Sequence, residues 1–341
     1  MQPLRFALLG TGFWARFQLA AWRELEGVEC VALYNRTKAK AQRLADELGI
    51  PAVYDDPDAL FGNERLDFAD IVTDVDTHAR FVRLAAAHRV PVICQKPMAP
   101  SLEEARDMVR ACEVARVPFW VHENWRFQTP IRALKAELDT GVIGTPFRAS
   151  LKMVSGFPVF VNQPFFRDLE QFLIADLGSH IFDVARYLFG EMDSLYCRTQ
   201  RVHPDIRGED CVTAILNAKS GVTSVVTMAY AENFLEVDRF PQTFILIEGS
   251  RGSLELAFDF SLRTTTEHGT LSRRVPPPRY AWADPEYDVV HSSIVPCNAS
   301  ILADLRDGQR SENRAEENFK TVELVFGAYD SAARNAVVTL P

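Results

Sequence analysis

Near its start the chain breaks from an apolar run into Leu8-Leu9-Gly10-Thr11-Gly12-Phe13-Trp14-Ala15, a G-x-G-x-x-A turn. No other feature limits the fold as strongly. A β-rich run, Arg5–Leu9, leads into the turn and a helical pattern leaves it. Gly10 permits a tight bend, Gly12 leaves its backbone open to close approach, and Ala15 lets the helix pack on the strand. The first N–H groups of that helix lack intrahelical partners, and its dipole adds positive potential there. Such a turn suits the pyrophosphate of a dinucleotide. The glycine pair alone is a weak signal, and its place between a strand and a helix makes it specific.

The alternation continues. Strands are expected at Glu29–Tyr34, Ala52–Tyr54, Phe68–Thr73, Pro91–Cys94 and Phe119–His122, with helical spacing between them, as at Phe81, Leu84 and Ala85. Gly49 and Pro51 stop a helix over Lys38–Leu48, and Ser101-Leu-Glu-Glu104 is a capping box. Repeated β-α-β units with right-handed crossovers predict an N-terminal Rossmann domain, an α/β fold with a doubly wound parallel sheet.

After Asn124 the texture changes. A helix near Pro130–Leu138 leads to alternating strands at Phe147–Val154, Tyr196–Val202, Val212–Asn217, Val222–Ala229, Thr243–Ile247 and Ser253–Ala257. Gly249-Ser-Arg-Gly252 marks a hairpin, Ile181–Phe189 a helix, and Arg273–Tyr280 a loop or edge segment. This predicts an α+β domain with a large, mostly antiparallel open sheet. The expected division is 1–123 for dinucleotide binding, 124–297 for substrate binding and oligomerisation, and a helical segment 298–341 packing back towards the first domain.

A length of 341 residues suits two domains, and 47% hydrophobic with 24% charged residues is ordinary for a globular chain. The net charge of −9 argues against nucleic-acid binding, which needs a basic face. Phe6–Leu9 is too short for a signal-peptide core or a membrane span, so no membrane partner is expected. The six cysteines show no C-x-x-C spacing, which predicts free thiols, no metal site and a reducing cytoplasm.

The second strand ends in Tyr34-Asn35-Arg36-Thr37, where an acid for the adenosine ribose is usual. Neutral Asn35 can bond a ribose diol without repelling a 2′-phosphate, and Arg36 can stack on adenine or pair with that phosphate. NAD and NADP both fit.

Two further motifs carry chemistry. Val92-Ile-Cys-Gln95-Lys96-Pro97 puts a lysine at the carboxyl end of a buried strand, the edge where ligands bind in open sheets. Asp176-Leu-Gly-Ser-His180 is read as opening the helix Ile181–Phe189, where a helix N-terminus favours a neutral imidazole. Asp176 would orient His180, a candidate general base.

With these motifs in order, the chain resembles the Gfo/Idh/MocA oxidoreductases, the glucose–fructose oxidoreductase and inositol dehydrogenase superfamily. The resemblance covers essentially the whole chain: the Gly10–Ala15 turn, Thr73 and His78 ahead of Lys96-Pro97, Asn124 with Arg126, Asp176–His180 and Ser331. It implies oxidation of sugars or cyclitols with NAD, weakly preferred, or NADP, and a homodimer or homotetramer. Cofactor would be bound by Gly10, Gly12, Phe13, Trp14, Asn35, Arg36, Thr73, His78, Gln95, Lys96 and Arg126. A small polyhydroxylated substrate would meet Lys96, Asn124, Asn162, Asp176 and His180. Catalysis would fall to Lys96, Asp176 and His180, without a metal.

The departures are Gln95 where Glu is usual, Asp74 where Pro is common, and Gln171-Phe-Leu-Ile174 in place of small residues, which should reshape the substrate pocket. Within the family, Gly10–Arg16, Tyr34–Thr37 and Cys94–Pro97 look most like pentose dehydrogenases of the D-apiose type. The expected reaction is oxidation of an aldose at C1 to its lactone. The alternatives are ring-hydroxyl oxidation, keto-sugar reduction, an NAD-dependent glycosidase and a non-catalytic dinucleotide-binding regulator.

Overall fold

The computed structural model describes residues 2–156, 159–231 and 242–341. The chain divides into two compact units, Met1–Glu123 with Ile294–Val322, and Asn124–Ser293 with Glu323–Pro341.

The first unit alternates β1 (Leu4–Leu9), α1 (Phe13–Arg23), β2 (Val28–Tyr34), α2 (Lys38–Leu48), β3 (Ala52–Tyr54), α3 (Pro57–Asn63), β4 (Phe68–Ile71), α4 (His78–Ala87), β5 (Val92–Gln95), α5 (Leu102–Ala115) and β6 (Phe119–His122). All six strands are parallel, in the order β3-β2-β1-β4-β5-β6. The strand order reverses beside β1, so Gly10 lies at the switch point, on the edge where open α/β sheets bind ligands. Phe6–Leu9 and Phe68–Ile71 are wholly buried because helices cover both sheet faces.

The core beneath α1 is aromatic and partly polar. Phe6 stacks on Phe68 with ring centroids 4.8 Å apart, and Trp22 lies 5.2 Å from Phe68. In β4 the fully buried Asp70 accepts from Trp22 Nε1 at 2.7 Å and Gln18 Nε2 at 2.9 Å. Its second oxygen has no hydrogen-bond partner among the described residues. Burial pushes its carboxyl up to about 6, against the pull of those two bonds.

The second unit contains α6 (Thr129–Asp139), β7 (Pro146–Val154), α7 (Val159–Asn162), α8 (Ser179–Phe189), β8 (Met192–Gln200), β9 (Cys211–Ala218), β10 (Thr223–Ala229), β11 (Phe244–Gly249), β12 (Gly252–Ala257), β13 (Ser261–Thr266) and β14 (Gly269–Arg274). Then come α9 (Asp288–Asp307), α10 (Ala315–Arg334) and β15 (Val338–Thr339). The nine-stranded sheet runs β14-β13-β12-β11-β7-β10-β9-β8-β15 and is antiparallel except between β7 and β10. Alternation sends Ala149, Leu151 and Met153 inward and leaves Arg148, Ser150 and Lys152 exposed. On the outer face one register row joins Tyr196, Ile215, Val225, Ser150 and Leu246.

Four sequence expectations shift. The hairpin β13–β14 went unread, because β14 is exposed throughout and shows no apolar alternation; Arg273, assigned to a loop or edge segment, lies in β14, the edge strand of the sheet. α9 begins at Asp288, ahead of the expected Asn298; Pro296 in its interior, where proline is disfavoured, masked its first half in the sequence. The segment 298–341 does not stay together. Ile294–Val322 groups with the first unit and Glu323–Pro341 with the second, where Val338 pairs with Leu195 and Ser331 Oγ accepts from Cys197 N at 2.9 Å.

The last shift bears on the site. Helical backbone begins at Leu173, passes through a π-helical stretch over Ile174–Gly178 and continues into α8 without a break. His180 therefore sits in the interior of a helical run, and the helix-start argument for its neutral form does not hold.

Candidate active site

In the first unit the glycine turn is built as a cradle. Gly10 takes φ +105°, and a Cβ there would lie 2.7 Å from the carbonyl oxygen of Val72, so a side chain is excluded by both backbone and space. At Gly12 a Cβ would meet nothing within 4 Å among the described residues. Protein packing does not demand glycine there, whereas close approach of a phosphate does. Gly12 also brings no capping side chain to α1, whose N-terminal, positive end opens on the turn. Phe13 is exposed beside the turn, Trp14 is half-buried, and Ala15 is fully buried against the sheet.

Asn35 ties this turn to the next. Its amide nitrogen donates to Thr11 Oγ1 at 2.5 Å, and its oxygen accepts from Thr37 N at 2.8 Å. Arg36 beside it is exposed and makes no ion pair among the described residues.

His78 clasps two loops at the same sheet edge. Its Nε2 lies 3.0 Å from Thr73 O, and its Nδ1 lies 3.1 Å from Pro97 O and 3.2 Å from Met98 O. Burial lowers its basicity despite those carbonyls. The loop after β4 is thereby fastened to the one carrying Lys96. Gln95 folds back so that its oxygen accepts from Lys96 N at 2.9 Å, while its Nε2 is buried without a hydrogen-bond partner among the described residues. An orphaned buried donor costs about 1–3 kcal/mol unless something bonds it. With the open space at Gly12 and the uncapped α1, it fits a dinucleotide carrying ribose hydroxyls and phosphates.

The second unit holds the other candidates. His180 is buried, and its ring stacks on Trp125 with centroids 4.2 Å apart. Trp125 is held by its Nε1, which donates to Thr243 Oγ1 at 3.0 Å. Next to it, Arg126 makes a buried two-point pair with Asp183 of α8, at 2.6 and 2.5 Å. The turn at Trp125–Phe127 is thus stitched to the helix bearing His180. Arg126 was expected near the nicotinamide, and its Nε and Nη2 are engaged by Asp183. Asn124 likewise donates its amide to Ser293 Oγ at 2.9 Å and Val290 O at 3.2 Å. Asn162 ends α7, and its side chain lies outside the described residues.

Asp176 is half-buried, four residues before His180 on the same helical run. Tyr230, which the sequence reading missed, lies near enough that burial and the Asp176 charge together push its phenol well above the ordinary range. Phe172, Leu173 and Ile174, in the run expected to reshape the pocket, are fully buried, with Phe172 packed on Phe160 and Phe166. Their bulk anchors the start of the helix. Trp125 and Asp183 were also missed, because the contacts joining them to His180 and Arg126 span some fifty residues and leave no local signal.

Two family models match this chain: the oxidoreductase family with NAD-binding Rossmann fold over residues 4–123, and the GFO/IDH/MocA C-terminal domain over residues 131–255. The chain belongs to the Gfo/Idh/MocA family and is an NAD(P)-dependent oxidoreductase. It is 40% identical over 340 residues to a D-apiose dehydrogenase of Rhizobium rhizogenes, covering 100% of this chain and 98% of the relative. A D-apiose dehydrogenase of Paraburkholderia graminis is 41% identical over 334 residues, with 98% and 89% covered. An Agrobacterium radiobacter oxidoreductase, solved with NAD+, L-tartaric acid and magnesium, superposes with a TM-score of 0.97 at 40% identity, covering 99% of this chain and 98% of that one.

Proposed function

We propose that this enzyme oxidises D-apiose, or a closely similar aldopentose, at the anomeric carbon to the lactone. Similarity along the chain to two D-apiose dehydrogenases, together with Lys96, Asp176 and His180 in this sequence, supports the reading. NAD(P)+, when bound, supplies the acceptor for the C1 hydride. Gly10, Gly12 and the start of α1 would hold its pyrophosphate, Asn35 and Arg36 its adenosine end, and Thr73, His78 and Gln95 the loops around its other end.

His180 takes the C1 hydroxyl proton as general base. Stacking on Trp125 fixes the plane of the ring and favours the imidazolium that forms. The Lys96 ammonium stabilises the alkoxide-like oxygen, and Asp176 binds substrate or orients His180. The outer sheet row of Tyr196, Ile215, Val225 and Leu246 would pair with a second copy in a homodimer. Light scattering giving a strict monomer at micromolar concentration would refute that pairing.

The test of function is NADH or NADPH formation with D-apiose, D-xylose and myo-inositol as donors. D-apiose with NAD+ should give the highest kcat/KM and one reduced cofactor per lactone. Preference for myo-inositol, or turnover without net reduction, would overturn the reading.

A further inference from the structure

The helix carrying Asp176 and His180 has no local cap. Glu170 is exposed and paired with Arg207, and Gln171 is exposed. Instead its first four N–H groups are met from elsewhere in the second unit. Glu209, in the loop before β9, accepts from Phe172 N at 3.3 Å through Oε2 and from Ile174 N at 2.9 Å through Oε1. The backbone oxygen of the same residue accepts from Leu173 N at 3.3 Å. Tyr329 of α10 completes the set: its hydroxyl accepts from Ala175 N at 3.0 Å and donates to Glu209 Oε1 at 2.8 Å. The next amide, Asp176 N, begins the internal ladder by donating to Phe172 O at 2.9 Å.

We propose that Glu209 and Tyr329 are positioning residues for the dehydrogenase reaction, fixing where the π-helical turn starts and so where Asp176 and His180 project. A cap on the helix itself would follow the helix if it slipped by a residue. A cap borne on the loop before β9 and on α10 does not, so slippage would break all four bonds. The loop holding Glu209 is itself pegged. Its neighbour Asp210 is fully buried and accepts from Val202 N at 2.7 Å, His203 N at 2.8 Å and His203 Nδ1 at 2.6 Å. Glu209 pairs with no cation among the described residues, so the helix start supplies its counter-charge. Burial and Glu209 both push the Tyr329 phenol upward, which keeps it the donor.

The inference rests on His180 acting as the base, and the test separates the two. Tyr329→Phe removes one oxygen, and Glu209→Gln keeps the shape while opposing an amide N–H₂ to the helix N–H groups. Each is assayed below its melting temperature, with wild type and His180→Ala alongside. Either variant should lower kcat on D-apiose about tenfold, leave the dissociation constant for NADH within about twofold, and raise amide exchange over residues 172–179 about tenfold. Unchanged kcat in both variants, with His180→Ala inactive, overturns the positioning role. So does unchanged amide exchange, which is read without substrate. An active His180→Ala enzyme instead overturns the base assignment, and with it this role.

Discussion

His180 lies against Trp125 with the two rings 29° from parallel and their centroids 4.2 Å apart. An imidazole in that position gains a preferred plane, and its cation gains the attraction of the indole face. Trp125→Leu should lower kcat about tenfold, the scale of one aromatic pair, with a smaller change in KM for the sugar. Steady-state kinetics at saturating NAD+ decide it, and an unaltered kcat would leave the stack as packing alone.

Lys96 should act in the transition state more than in binding. Lys96→Met keeps the stem length and removes the charge, so kcat should fall by about two orders of magnitude, as when one preorganised donor is lost. Lys96→Arg should rescue poorly, because the planar fork is bulkier and points differently. If only KM rises in the Met variant, Lys96 anchors substrate without stabilising charge.

Cofactor choice turns on Asn35. An aspartate there keeps the acceptor for Thr37 N, and the Thr11 hydroxyl can rotate to donate, so the fold should tolerate the change. Asn35→Asp should cut kcat/KM for NADP+ selectively, since a carboxylate repels the 2′-phosphate. Equal losses with NAD+ and NADP+ would show that position 35 does not face the adenosine ribose.

Two buried groups give stability opposite dependences on pH. Asp70, pushed up to about 6, stays protonated in the folded state while the unfolded chain ionises. Its stabilising contribution is full below about pH 4 and falls by about 3 kcal/mol as pH rises through 6. Asp70→Asn should raise Tm by several degrees at pH 7 and do little at pH 4. His291 is pushed down to about 4 by burial, with Nδ1 accepting from Asp284 N. Stability is therefore lost as pH falls from about 6.5 to 4, on a similar scale. His291→Gln should flatten that acid limb. Thermal melts from pH 4 to 7 check both, and parallel curves for wild type and variants would refute them.

Much of the fold was legible because it is written in local periodicity. Gly10 and Gly12 announce the turn, and continuous apolar runs such as Phe6–Leu9 announce a sheet covered on both faces. Lys96 was readable because a lysine at the end of a buried strand is unusual. The π-helical entry to α8 was not, since an i→i+5 ladder leaves no apolar period of its own. Nor were Glu209 and Tyr329, whose bonds to the helix start cross 35 and 154 residues. The departure at Gln171–Ile174 shows at the sequence level, while the burial of Phe172, Leu173 and Ile174 against the fold does not.

The last strand of the first sheet is finished by residues made much later. Trp120 Nε1 donates to Asp304 across 184 positions, and Val121 N donates to Asn313 O. At bacterial or eukaryotic rates of about 5–20 residues per second, that interval is roughly ten to forty seconds on the ribosome. Through it, a nascent Rossmann unit carries β6 without the partners that bury it. The chain therefore cannot complete its first unit before making most of its second, and a fragment ending at Glu123 lacks the groups that bond Trp120 and Val121.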